Sequence, residues 1–131
     1  MSWMPTEQEV QALLLLSGPK RYEYCIKKIA DQEQLWSLWQ EGWALAADDA
    51  GREVVPIWPH SLYATLCATG RWSKYTPKAI DLLEWKERWT PGMDNDKRLV
   101  AVFPTPRDKG VVIAARRFQN DLDNECAKYE E

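Results

Sequence analysis

The chain has 131 residues, and Asp+Glu (20) outnumber Lys+Arg (17), for a net charge of −3. That length predicts one globular domain, over residues 1–131, with a core that needs no disulfide or metal staple. The acidic balance argues against a general nucleic-acid clamp, which carries a basic excess, and a hydrophobic content of 45% excludes disorder.

The longest apolar runs, Ala12 to Leu16 among them, are far too short to span a bilayer. The start Met1-Ser2-Trp3-Met4-Pro5 lacks the basic and apolar regions of a signal peptide. A cytoplasmic location is the expectation.

The first helix signal is Thr6 to Glu9, a capping box ahead of Val10, Leu13 and Leu14 at helical spacing. Leu15 and Leu16 widen the apolar face and predict cover on more than one side. Gly18 and Pro19 end this helix, and Pro19 suits the first turn of a second. Tyr22, Cys25, Ile26 and Ile29 form one face of that second helix. Asp31 with Gln34 resembles another capping box. It predicts a short third helix carrying Leu35, Trp36, Leu38 and Trp39 and ending at Gly42.

Residues 43–47 and 54–58 flank a polar, Gly-containing loop and read as a β-hairpin. Pro56 puts the second arm at an edge or a bulge, because it cannot donate a ladder hydrogen bond. A helix follows from Ser61, with Leu62, Tyr63, Leu66 and Cys67 inward, and ends at Gly70. Residues 71–78 read as a loop carrying Trp72 and Tyr75, with Ala79-Ile80 as a very short strand. Asp81 and Glu84 cap a helix whose inward face holds Leu82, Trp85 and Trp89, broken at Pro91-Gly92, with 93–98 as a charged turn.

Residues 99–103 form a continuous apolar run, the pattern of a strand buried on both faces. After a turn-rich loop, Val111 to Ile113 is its antiparallel partner. The last helix carries Phe118, Leu122, Cys126 and Tyr129 on one stripe. The sum predicts an α+β fold: a small, mostly antiparallel sheet of two hairpins and 4–5 strands, covered by about six helices.

Catalytic, phosphate-binding and dinucleotide-binding signatures are missing, so neither a cofactor nor a catalytic residue is assigned. Cys25, Cys67 and Cys126 are too few, too widely spaced and too poor in histidine neighbours for a disulfide framework or a zinc site; they read as reduced, packed thiols. The pair Asp48-Asp49 lacks calcium-loop spacing and reads as a solvated turn. His60 is the only histidine; near a helix start it stays neutral, free to act as a base, to cap the helix or to pack on Trp58. Most of the eight tryptophans are expected in the core.

The charges of the last helix oppose its dipole. Arg116 and Arg117 fall in the first turn, and Glu130 and Glu131 at the end. Arg107 and Lys109 lie in the preceding loop. Four cations at one end of the sheet would hold an anion or an acidic partner; the plainer expectation is that Arg117 pairs with Asp121 and the others are solvated.

The segments Arg21-Tyr22-Glu23-Tyr24, Gly42-Trp43-Ala44-Leu45, Pro56-Ile57-Trp58-Pro59-His60, 100–106 and Gly110-Val111-Val112 together resemble the family DUF2750, small bacterial proteins gathered as a domain of unknown function. The resemblance spans Arg21 to Tyr129 and implies a bacterial, cytoplasmic, single-domain protein. It supplies no activity, cofactor or site residue. The leading expectation is a non-catalytic protein-binding domain of adaptor or toxin-neutralising type. The alternative is a small-molecule or anion-binding domain, or an enzyme, with a pocket lined by Trp58, His60, Arg107, Lys109, Arg116 and Arg117.

Overall fold

The computed structural model describes residues 3–129. Met1, Ser2, Glu130 and Glu131, used in the reading of the start and of the last helix, lie outside them. The fold is α+β, with a two-stranded sheet and a four-stranded sheet. Helices α1 (Glu7–Leu15) and α2 (Gly18–Gln32) open the chain. Thr6 caps α1 by accepting from the Glu9 N–H at 3.1 Å. Ser17 caps α2 the same way through Lys20, with Pro19 in the first turn. Leu15 is 85% exposed, so α1 is not covered on the side that Leu15 was expected to bury.

The third helix is not formed. Asp31 lies inside α2, which ends where Glu33 turns left-handed and returns its N–H to Ile29. The chain then runs as strand β1 (Gln34–Trp39). Leu35, Leu38 and Trp39 satisfy a helical spacing, and no alternation marks the strand, because Leu35 and Ser37 on one face and Leu38 on the other are all buried. Ser37 is fully buried because its hydroxyl donates to the Pro56 carbonyl at 2.7 Å.

Strand β2 (Ala46–Ala47) pairs with β3 (Glu53–Ile57) as the expected hairpin, although the first arm is only two residues long. Trp43 and Ala44 return to β1 instead, with the Ala44 N–H on the Leu38 carbonyl. Pro56 is not on an edge strand, since β3 also pairs with β5 in parallel. It is tolerated because β2 ends before reaching it, and its carbonyl is met by Ser37. Helix α3 (Ser61–Leu66) follows, then a 3₁₀ turn (Gly70–Trp72).

Strand β4 (Thr76–Asp81) is three times the length expected for Ala79-Ile80 and pairs antiparallel with all six residues of β1. Asp81 caps α4 (Leu82–Glu84), accepting from Leu83 and Glu84. The helical path does not break at Pro91-Gly92. It passes through a π turn (Trp85–Trp89) into α5 (Thr90–Asp96) and ends at a left-handed Lys97. The widened turn makes Thr90 a fresh helix start, where a proline with no N–H is tolerated.

Strands β5 (Leu99–Val102) and β6 (Val111–Ala114) pair antiparallel, as expected, and α6 (Ala115–Ala127) closes the fold. The four-stranded order is β2-β3-β5-β6. Val55, Ile57, Val100 and Val102 point into one core with Cys25, Ile29, Phe118 and Leu122 of α2 and α6. Tyr129 lies past the end of α6, 59% exposed, and does not extend that stripe. Of the tryptophans, Trp58 and Trp85 are fully buried, while Trp3, Trp36, Trp39, Trp43, Trp72 and Trp89 are half-buried.

Candidate functional site

The loop between β5 and β6 is built to hold one shape. Phe103 is left-handed at φ 56°, and Thr105 and Asp108 close a turn through paired backbone bonds of 2.8 and 3.2 Å. The Asp108 carboxylate accepts from the Gly110 N–H at 2.7 Å. Gly110 has φ +77°, and a Cβ there would stand 2.5 Å from the Val102 carbonyl oxygen, so only glycine fits.

The loop is also pinned from within. Arg21, 2% exposed on α2, donates to the carbonyls of Leu16 and Phe103 and pairs with Asp108 at 3.0 Å. The Trp58 indole N–H donates to the Pro104 carbonyl at 2.8 Å, and the Cys67 thiol reaches the same oxygen at 3.4 Å. The Gly110 N–H, and then the Arg21 guanidinium, hold the Asp108 carboxyl below the usual carboxylate range.

This loop forms one wall of a groove of about 350 Å³ on the face of the four-stranded sheet opposite the helices. Its floor is Ala46, Val54, Pro56, Ala101 and Val112, the alternate residues to those that enter the core. Trp72 lines it together with Arg71, whose guanidinium lies 5.3 Å from the Trp72 ring centre. The acidic residues at the rim are committed: Asp48 pairs with Arg52 at 2.7 Å, and Asp108 with Arg21. Lys109 pairs with Asp49 at 3.0 Å. Among the described residues, Arg71 and Arg107 have no ion pair.

The six candidate residues do not converge. Trp58 lies wholly in the core and positions the loop. His60 caps α3: its Nδ1 accepts from the Leu62 N–H at 3.0 Å, and Trp3 packs against it edge-on at 5.1 Å. Desolvation lowers its pKa, so it is neutral as expected, and its Nδ1 lone pair is taken by the helix start.

Arg107 and Lys109 are on the groove rim. Arg116 and Arg117 are at the other end of β6, because Val102 faces Val111 and Leu99 faces Ala114. The expectation of four cations at one end of the sheet is therefore corrected: they bracket a strand. Arg116 pairs with Asp94 at 3.3 Å. Asp121 accepts a hydrogen bond from the Tyr22 hydroxyl and makes no ion pair with Arg117.

Burial keeps two of the three cysteines as thiols. Burial raises Cys25 well above its ordinary value and pushes Cys67 up to about 11. Cys126 is half-buried, less enclosed than expected. Among the described residues no three His, Cys, Asp or Glu side chains group to hold a metal ion, and no helix is long and apolar enough to cross a membrane. Asp48, its side chain only 14% exposed, organises its turn by accepting from the Ala50 and Arg52 backbone at 3.0 and 2.8 Å, and Asp49 alone is solvated.

Sequence reasoning missed the floor of the groove, together with Arg71, Trp72 and Arg21. The available signal was size alternation: small Ala101 stands between Val100 and Val102. No curated protein and no solved structure matches the chain. A family model does, over residues 22–122, and the chain belongs to that family, DUF2750, proteins of unknown function.

Proposed function

We propose that this chain is a single-domain, cytoplasmic bacterial protein that works by binding, as an adaptor or a neutralising partner does. Its target is an acidic stretch of another protein, taken up on the open face of the four-stranded sheet. The observation that carries this reading is the groove: an apolar floor of small residues, a tryptophan wall, and Arg71 and Arg107 on a rim whose carboxylates are already neutralised. Apolar surface supplies the attraction, and unpaired arginines select an anionic occupant. The rigid loop removes much of the ordering cost of binding. A net charge of −3 gives no support for nucleic acid as the target.

A second reading is an anionic small molecule in the same groove. Its 350 Å³ falls in the range of roughly 300–1,000 Å³ typical of small-ligand sites. Titration of the protein with an acidic decapeptide of Glu and Val, and separately with citrate, tests both. Binding of the peptide that is lost in Arg71→Glu/Arg107→Glu, with an unchanged melting temperature, supports the first reading. Citrate binding with the same loss, and no peptide binding, moves the assignment to the second. Peptide affinity unaffected by the double reversal overturns the groove as the site.

A further inference from the structure

We propose that the partner segment docks by strand addition: an extended chain with acidic flanks pairs with the free edge of β6. This rests on the reading of the protein as a peptide-binding domain and specifies how the peptide is held.

β6 is the last strand of the order β2-β3-β5-β6, so one of its edges has no neighbour in the sheet. The direction of the ladder bonds shows which groups are left over. The Phe103 N–H goes to the Ile57 carbonyl at 2.9 Å, so position 103 and, by alternation, position 101 face β3. Val100 and Val102 therefore face β6, and their register partners Ile113 and Val111 make the β5–β6 bonds. Val112 and Ala114 then direct their N–H groups away from the sheet, and Val112 its carbonyl as well. Among the described residues no backbone or side-chain group outside the ladder bonds to them. The Ala114 carbonyl is spent at the start of α6.

Edge strands in stable proteins are blunted by charge, proline, bulges or cover. The four residues Val-Val-Ile-Ala of β6 contain neither charge nor proline. Val112 is half-buried and Ala114 exposed, so the edge reaches the surface. Val112 also belongs to the groove floor. A strand added at this edge would thus continue the floor, with its alternate side chains beside Val112 and Ala101.

The charges choose the occupant. Arg107 and Lys109 precede β6, and Arg116 and Arg117 follow it. A second copy pairing edge to edge, in either direction, sets these cations against their own kind, which is unfavourable. A segment with Asp or Glu on both sides of a short apolar core meets cations at each end. The two existing ion pairs, Lys109–Asp49 and Arg116–Asp94, lie between exposed side chains and exchange at little cost.

The test uses the full ¹⁵N-labelled chain and the synthetic peptide Asp-Glu-Thr-Val-Thr-Val-Thr-Glu-Asp, with a Lys-flanked peptide of the same core as control. Without peptide, the amides of Val112 and Ala114 should exchange fast and those of Val111 and Ile113 slowly. The acidic peptide should slow Val112 and Ala114 by at least about tenfold, as lost solvent access at a new backbone bond requires. Val112→Pro removes an outward N–H only and should weaken binding about tenfold, the factor for one or two lost backbone bonds. Arg107→Glu/Arg117→Glu, which leaves the backbone intact, should weaken it as well and serves if the proline variant does not fold.

Slow exchange at Val112 and Ala114 in the free protein would overturn the open edge. Protection that grows with protein concentration alone would assign the edge to a second copy and overturn the proposal. Equal binding of the Lys-flanked peptide would remove the acidic selectivity. Peptide-induced shifts at the Trp72 indole without protection of Val112 and Ala114 would end strand addition and leave the groove reading standing. No response at either place at millimolar peptide would end both.

Discussion

On the helix-covered face of the four-stranded sheet stand Val55, Ile57, Val100 and Val102; on the other stand Ala46, Val54, Pro56, Ala101 and Val112. The same strands supply both sets. On the covered side, branched residues interlock with Phe118 and Leu122, and the free energy lies in volume and dispersion. On the other side Ala46 and Ala101 keep the floor low between Trp72 and the 104–109 loop, although Val54 and Val112 match the valines of the covered face in size. The covered face holds the fold; on the opposite face Val54 and Ala101 are also buried, and the groove reaches the surface beside the half-buried Ala46 and Val112.

Four measurements break or sharpen that contrast. The largest effect belongs to the covered face: Phe118→Ala should cost about 3–5 kcal/mol, while Val112→Ala on the groove floor should cost about 1 kcal/mol or less. Urea melts compare the two, and equal losses would erase the distinction between the faces. Arg21→Met comes next, at about 2–4 kcal/mol. It strands the carbonyls of Leu16 and Phe103, although Asp108, 45% exposed, can turn to water. If Arg21 holds the groove wall, this variant should also broaden the amide signals of residues 104–109; sharp, unshifted signals there would show that the loop stands without it.

Acid separates the two faces more gently. The Asp108 carboxyl is depressed in the native state, so its contribution is complete above the unfolded value of about 3.9 and fades as pH falls below it. Wild type should therefore lose more stability than Asp108→Asn between about pH 6 and about pH 3. Parallel curves would mean that the loop draws nothing from the Arg21–Asp108 pair. The smallest effect is kinetic. Cys126, half-buried on α6, should react with a thiol reagent before Cys25 and Cys67, which should wait for unfolding. Native labelling of Cys25 ahead of Cys126, followed by mass spectrometry, would contradict the enclosed core beneath the covered face.

The hairpin β5–β6 was legible because both signals were local: an apolar run on each side of a loop dense in proline and glycine. The caps at Thr6 and Asp81 were legible for the same reason, but the same local pattern at Asp31 was no cap, because α2 runs on through it. β1 was not, because Leu35, Leu38 and Trp39 fit a helix while a strand buried on both faces shows no alternation, and its form was decided by pairing with β4, about forty residues away. The site was the least legible part. Trp58 and Arg107 both carry chemistry on paper, yet one is turned inward to hold Pro104 and the other outward to the rim.

The amino-acid sequence by itself determined the fold class, the capped helix starts at Thr6 and Asp81, the central apolar strand and the tight loop that follows it, because these rest on spacing and turn chemistry between near neighbours. Only the tertiary structure decided that β3 lies parallel to β5, that Pro91 sits inside a helical path, and that the four cations stand at opposite ends of β6. Each of these is a contact or a direction set by partners far along the chain. Such pairings are selected by the total burial they achieve, and no window of neighbouring residues contains that sum.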